Sequence, residues 1–169
     1  MAPRDDADPR PAPRWPLLVG CVLLCQAAGA LGALGMRGEA TWTWYRALAK
    51  PPITPPDWVF SPVWTILYLL MGIALWQVLR YGAGRPERRA AVGLFLAQLA
   101  LNALWTPLFF WWRHIGGALA VLAALLVLLA LTLRAFARLH PPAAWLLAPY
   151  AAWATFALVL NAWLWQLNG

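Results

Sequence analysis

Charge is the scarcest commodity in this chain. Only 11% of its 169 residues are charged, against about 25% in a soluble domain, and 63% are hydrophobic. All six acidic residues (Asp5, Asp6, Asp8, Glu39, Asp57, Glu87) fall outside the centres of the long apolar stretches. No carboxylate is therefore placed for a proton relay inside a membrane, which argues against a proton-driven pump. The two histidines, His114 and His140, lie in short connections without a carboxylate nearby in sequence. No nucleophile–base–acid set, Walker loop, dinucleotide fingerprint or metal-spaced histidine pair is present, and no metal site is expected. Cys21 and Cys25, the only cysteines, stand at i and i+4 in an apolar segment. That spacing rarely meets disulfide geometry, and without neighbouring ligands it makes a poor metal site, so packing is their expected role. The net charge of +7 comes from basic residues at span ends and in loops, where they meet lipid headgroups; nucleic-acid binding is not expected.

What the chain has in abundance is apolar length and tryptophan. Five stretches, at residues 15–36, 57–81, 87–112, 115–139 and 143–167, each exceed the roughly 20 residues that cross a hydrocarbon core. The expected fold is an all-α integral membrane bundle of five transmembrane helices. Residues 1–14, proline-rich and charged without periodicity, read as a disordered tail. The first stretch also resembles a secretory signal, with Arg10 and Arg14 before the run and Ala28-Gly29-Ala30 as a cleavage site. Against cleavage, apolar character continues through Leu31, Ala33 and Leu34, and glycines at 29, 32 and 35 suit close helix packing. Asp57 is a plausible N-cap for the second span.

Loop charges orient the bundle. The tail and the loops at 80–89 and 134–141 carry nine of the 13 Lys/Arg, and the opposite side carries four: Arg37, Arg46, Lys50 and Arg113. The positive-inside rule then puts the N-terminus inside and the C-terminus outside. The single long connection, 37–56, holds Trp42, Trp44, Tyr45 and the run KPPITPP. Its prolines predict an extended, stiff segment whose aromatics rest on the bundle, either as an interfacial anchor or as a lid.

Three helical faces mix flat aromatics with amides: Trp64, Tyr68 and Gly72; Gln98, Asn102 and Trp105; and Tyr150, Trp153, Ala157, Asn161 and Trp165. Polar side chains are costly toward lipid, so these faces should turn toward one another. The bland account is that the amides only bond across helices, at about 0.6–2 kcal/mol each. The combination of three stripes instead indicates a pocket for a flat, largely apolar ligand. Pro107 and Pro149 interrupt their helices, freeing the carbonyls of Ala103 and Trp145; such kinks either open space or are absorbed by neighbours. Ala157, between Trp153 and Asn161, leaves a slot that a ring could enter. Gly93 with Ala97, or Gly29 with Gly32, could serve a homodimer. His114 could ligate a haem iron from the loop side, although an interfacial role beside Arg113 is the commoner fate of such a histidine.

The stretches WYRALAKPPITPPDWVFSPVWTILYLLMG (44–72), QLALNALWTPLFF (98–110) and APYAAWATFALVLN (148–161) together resemble the tryptophan-rich sensory protein family. This is also the translocator protein, or peripheral-type benzodiazepine receptor, family (TspO/MBR). The resemblance runs from the first span to about Leu167. It implies a five-helix bundle with the first long loop folded over a pocket. It also implies porphyrin ligands such as protoporphyrin IX or haem, with no required cofactor, and synthetic isoquinoline- or benzodiazepine-type ligands. Carried over by position, Tyr45, Trp64, Tyr68, Asn102, Trp105, Trp153 and Ala157 would line the ligand site. Trp64 and Trp153 would be the catalytic pair if light-dependent porphyrin oxidation occurs. Arg46 and Lys50, on the loop, are expected to meet porphyrin carboxylates by charge.

Three departures stand out. Val121 replaces an Asp common early in helix four, and Gly117 occupies a position that is tryptophan in animal members. After Asn161 the chain reads AWLWQLNG, without the tyrosine and basic residue of the cholesterol-recognition pattern. The resemblance favours a porphyrin-binding sensor or carrier. A light-dependent porphyrin-degrading enzyme, a sterol or small-molecule transporter, and a passive structural protein are the alternatives.

Overall fold

Helix boundaries fall where proline and glycine punctuate the apolar runs. The computed structural model describes residues 15–169, so the expected tail at 1–14 lies outside the described residues. Six helices follow: α1 (Trp15–Ala33), α2 (Glu39–Ala47), α3 (Asp57–Tyr81), α4 (Glu87–Thr106), α5 (Ile115–Leu139) and α6 (Pro141–Asn168). A short 3₁₀ turn carries α1 on to Met36, and a π-helical turn carries α4 on to Trp111. All except α2 are long and apolar enough to cross a membrane, at 22 to 28 residues with those turns included. The five-span expectation and its boundaries agree with this to within two residues.

Two local expectations need correction. Asp57 is the first residue of α3 and Pro56 occupies the cap, so the carboxylate acts on the helix dipole rather than as a capping acceptor. More substantially, the connection at 37–56 is not extended throughout. Its prolines begin only at Pro51, and nothing in EATWTWYRA opposes a helix. Gly38, at φ +102°, supplies the backbone reversal that starts α2, and Glu39 and Arg46 stand at the dipole ends that suit their charges.

The five spans close into a ring in the order α1, α3, α6, α5, α4 and back to α1. At the end that carries the 82–86 and 139–141 connections, the ring is filled. Met71, Leu75 and Val78 of α3 meet Phe95 of α4, Phe136 of α5 and Leu147 of α6, all buried. Phe95 and Phe136 stack with centroids 5.6 Å apart. Toward the opposite end the centre is not filled by side chains. Glycine lets α1 close the ring. A Cβ at Gly72 would lie 2.6 Å from the Cα of Val22, and one at Gly35 would lie 2.7 Å from the Cα of Pro107. Gly29 lies flat against the Tyr68 ring. Those at Gly29 and Gly35 are the close approaches that the glycine spacing in the first span predicted.

Pro107 has no N–H to return to Ala103, and the chain widens there: the Trp112 N–H donates to the Pro107 carbonyl at 3.0 Å. The wider turn swings Phe109 and Phe110 inward, where both are buried. Cys21 and Cys25 are free thiols packed in the core.

Candidate functional site: an aromatic cavity beneath α2

Above the filled half of the ring lies a cavity of about 520 Å³, within the range of about 300–1,000 Å³ typical of ligand pockets. Each aromatic stripe read from the sequence contributes one wall. Helix α3 supplies Phe60, Trp64 and Tyr68; α4 and its π turn supply Asn102, Trp105 and Phe109; α6 supplies Trp153, Ala157 and Asn161. Tyr45 and Trp42 of α2 form the roof.

The walls are rigid because the aromatics brace one another. The Trp64 ring lies 5.5 Å from Tyr68 and 6.2 Å from Tyr150, and Trp153 packs edge-on against Phe60 at 5.9 Å. Trp105 stacks on Phe109 at 5.3 Å, and its indole N–H donates to Asn161 Oδ1 at 3.1 Å. Asn161 in turn donates to the carbonyl of Ile115 at 3.1 Å, joining α4, α5 and α6. For Asn161 the interhelical-glue account is correct, and the residue also lines the cavity.

The floor is polar. The Tyr68 hydroxyl donates to Asn102 Oδ1, Asn102 Nδ2 donates to the Tyr150 oxygen at 3.0 Å, and the Tyr150 hydroxyl donates to Gln98 Oε1 at 2.9 Å. All four side chains are buried, and Gln98 Nε2 has no partner within the described residues. Tyr68 and Asn102 reach the cavity surface, whereas Gln98 and Tyr150 sit behind it. Tyr150→Phe leaves Asn102 Nδ2 without an acceptor and Gln98 Oε1 without a donor. We expect a loss of about 1–3 kcal/mol in unfolding free energy, read by denaturation in detergent.

The roof is fastened at both ends. Trp42 and Tyr45 pack on Phe110 at 6.2 and 5.4 Å, and Trp44 packs on Phe109 at 5.7 Å. Arg113 donates to the Ala40 carbonyl at 3.3 Å. Downstream, Asn168 exchanges two 2.9 Å hydrogen bonds with the backbone of Ala49. Burial pushes the Tyr45 phenol above its ordinary range, and the nearby Asp57 carboxylate adds to the shift.

Tyr45, Trp64, Tyr68, Asn102, Trp105, Trp153 and Ala157 thus all meet around one cavity. Arg46 and Lys50 do not line it. Arg46 is exposed on α2, and Lys50 places its Nζ 4.2 Å from the centre of the Tyr45 ring. The acidic side chain at the mouth is Asp57. His114 is also outside: its Nδ1 accepts the Gly117 N–H at 2.8 Å and caps α5. Gly117 has no Cβ to crowd that bond. The sequence reading missed Phe60 and Phe109, each one turn beyond a recognised stripe, and Leu164, which lines the cavity in place of its neighbour Trp165, a stripe residue that is half exposed. It also missed Leu122 and Leu125, which no pattern marks within the leucine-rich α5.

Five apolar spans around an aromatic cavity, roofed by a short helix, define an integral multi-pass membrane protein with an internal cavity. The chain belongs to the TspO/MBR family, whose profile matches residues 21–166. It is 43% identical over 158 residues to the translocator protein of Bos taurus, covering 93% of each chain. It is also 43% identical over 148 residues to the tryptophan-rich protein TspO of Chlorobaculum tepidum, covering 88% of this chain and 93% of that one. A tryptophan-rich sensory protein of Cereibacter sphaeroides is 39% identical over 155 residues, 91% of this chain and 92% of that one.

Proposed function

We propose that this protein is a membrane sensor or carrier of tetrapyrroles, holding a porphyrin such as protoporphyrin IX or haem in the cavity beneath α2. The observation that carries the reading is the pairing of flat indole walls, Trp64, Trp105 and Trp153, with a polar floor at Tyr68 and Asn102. A macrocycle offers wide apolar faces for stacking and a few polar atoms for hydrogen bonding, and the cavity offers the complement of each. The ligand's carboxylates would lie at the mouth, near Lys50 and the exposed Arg46, and away from Asp57. Isoquinoline-type aromatics suit the same walls. The charge asymmetry of the loops supports an N-terminus inside and a roofed mouth outside.

Titrating protoporphyrin IX in the dark into detergent-solubilised protein tests this. Tryptophan fluorescence should quench saturably, and Trp153→Phe should weaken the affinity or reduce the quenched amplitude. Linear, non-saturating quenching identical in both proteins would mean partitioning into micelles and would end the porphyrin reading.

A second reading is light-driven oxidation of the bound porphyrin, favoured by the placement of Trp64 against both Tyr68 and Tyr150. Bleaching of the bound porphyrin under illumination, lost in Trp64→Phe and Trp153→Phe while dark binding persists, would distinguish degradation from carriage.

A further inference from the structure

We infer that the cavity has a side portal between α1 and α3, through which its ligands enter from the hydrocarbon layer of the bilayer, with Gln26 as the residue that latches it. The two helices are in contact along most of α1 and part over its last turns. Near the filled half of the ring, Gly72 of α3 meets the backbone of Val22, and one to two turns further along Gly29 meets the Tyr68 ring. Beyond that point α1 changes partner. Gly32 faces the Ala103 carbonyl, 3.2 Å from where its Cβ would stand, and Gly35 faces Pro107, both on the α4 side. Helix α1 thus leans onto α4 over its last turns and leaves the rim of α3 uncovered at Ser61 and Thr65.

The residues at this gap are both cavity-lining and accessible. Ala30 and Ala33 of α1, and Ser61 and Thr65 of α3, line the cavity and are exposed. The wall there is one side chain thick, and on the α1 side those side chains are single methyl groups. The water-facing end, by contrast, is covered by α2, which Arg113, Asn168 and the aromatic stacks hold down. A ligand already dissolved among the acyl chains meets the thinner barrier.

Gln26 sits at the edge of the gap. Its Nε2 donates to the Thr65 carbonyl at 3.0 Å, the one side-chain hydrogen bond joining α1 to α3 among the described residues. An amide in this position is costly toward lipid unless it is bonded, and a single interhelical hydrogen bond is a weak latch. When it opens, Gln26, Ser61 and Thr65 present polar atoms to an incoming molecule. The site therefore selects amphiphiles with an apolar body and a polar edge over plain hydrocarbon.

The test uses the lipid itself and needs no porphyrin, so its failure leaves the tetrapyrrole reading standing, and the reverse also holds. The protein is reconstituted in phosphatidylcholine vesicles that contain a lipid with a mid-chain diazirine. After illumination, adducts are mapped by mass spectrometry. We expect adducts on the outward residues Leu23 and Val127 and also on Trp153 and Ala157 inside the cavity. Ala30→Phe, or Ala33→Phe should the first fail to fold, should lose the inner adducts and keep the outer ones; Gln26→Leu should increase the inner ones. Wild-type adducts confined to outward residues, or inner adducts indifferent to both phenylalanine variants, would overturn the portal.

Discussion

Ala157→Trp is expected to abolish saturable porphyrin quenching while leaving the unfolding transition close to that of the wild type. Ala157 faces the cavity from α6, one turn from Trp153 and one turn from Asn161, and is only partly buried. An indole at this position enters empty space rather than a packed core, so it should not incur the overpacking cost that a filled interior would impose. It does occupy the space between the walls that a planar ligand needs. We expect the dissociation constant for protoporphyrin IX to rise at least about 100-fold, or about 2.7 kcal/mol. Fluorescence titration and thermal unfolding of the same sample measure both halves of the expectation. Tight, saturable binding by a folded variant would place the porphyrin somewhere other than this cavity.

A large effect on stability should come from a single methyl group at Gly72. Its Cβ would lie 2.6 Å from the Cα and 2.9 Å from the N of Val22, and backbone cannot rotate aside as a side chain can. Gly72→Ala therefore forces α1 away from α3 at the point where their backbones come closest. A cost of about 1–3 kcal/mol is the usual range for such overpacking. Gly93→Ala is the internal comparison, because nothing stands within 4 Å of that position. There the helix propensity of alanine should add up to about 1 kcal/mol of stability. Unfolding midpoints in one detergent, moving down for the first variant and level or up for the second, would separate contact from propensity. Equal shifts would mean that α1 is not seated on α3 as described.

Much of the site was legible because a membrane makes polar residues expensive. Asn102 and Gln98 on α4, and Asn161 on α6, have few tolerable orientations in lipid, so their helical phase also fixes where Trp105 and Trp153 point. The same phase places Tyr68 one turn from Trp64. Leucines offer no such leverage: Leu122 and Leu125 line the cavity, yet they are indistinguishable in sequence from their lipid-facing neighbours. The roof was misjudged for a different reason. The prolines of KPPITPP dominated the reading of the whole connection, although proline restricts only itself and the residue before it. The nine residues of α2 lie upstream of them and are held by Phe109 and Phe110, which become available only once the π turn has swung them inward.

The sequence by itself determined the number of spans, their limits and the inward placement of Gln98, Asn102 and Asn161, though not of Trp165, which is half exposed, since hydrophobic length and the cost of burying amides in lipid act locally along each helix. Tertiary structure alone decided the order of helices around the ring, the pairing of Tyr68 with Asn102 and of Tyr150 with Gln98, and the side on which α1 parts from α3. Those choices depend on how five interlocking surfaces fit together. A glycine announces that something comes close, but only the packed ring decides whether that neighbour is Val22, Tyr68 or Pro107.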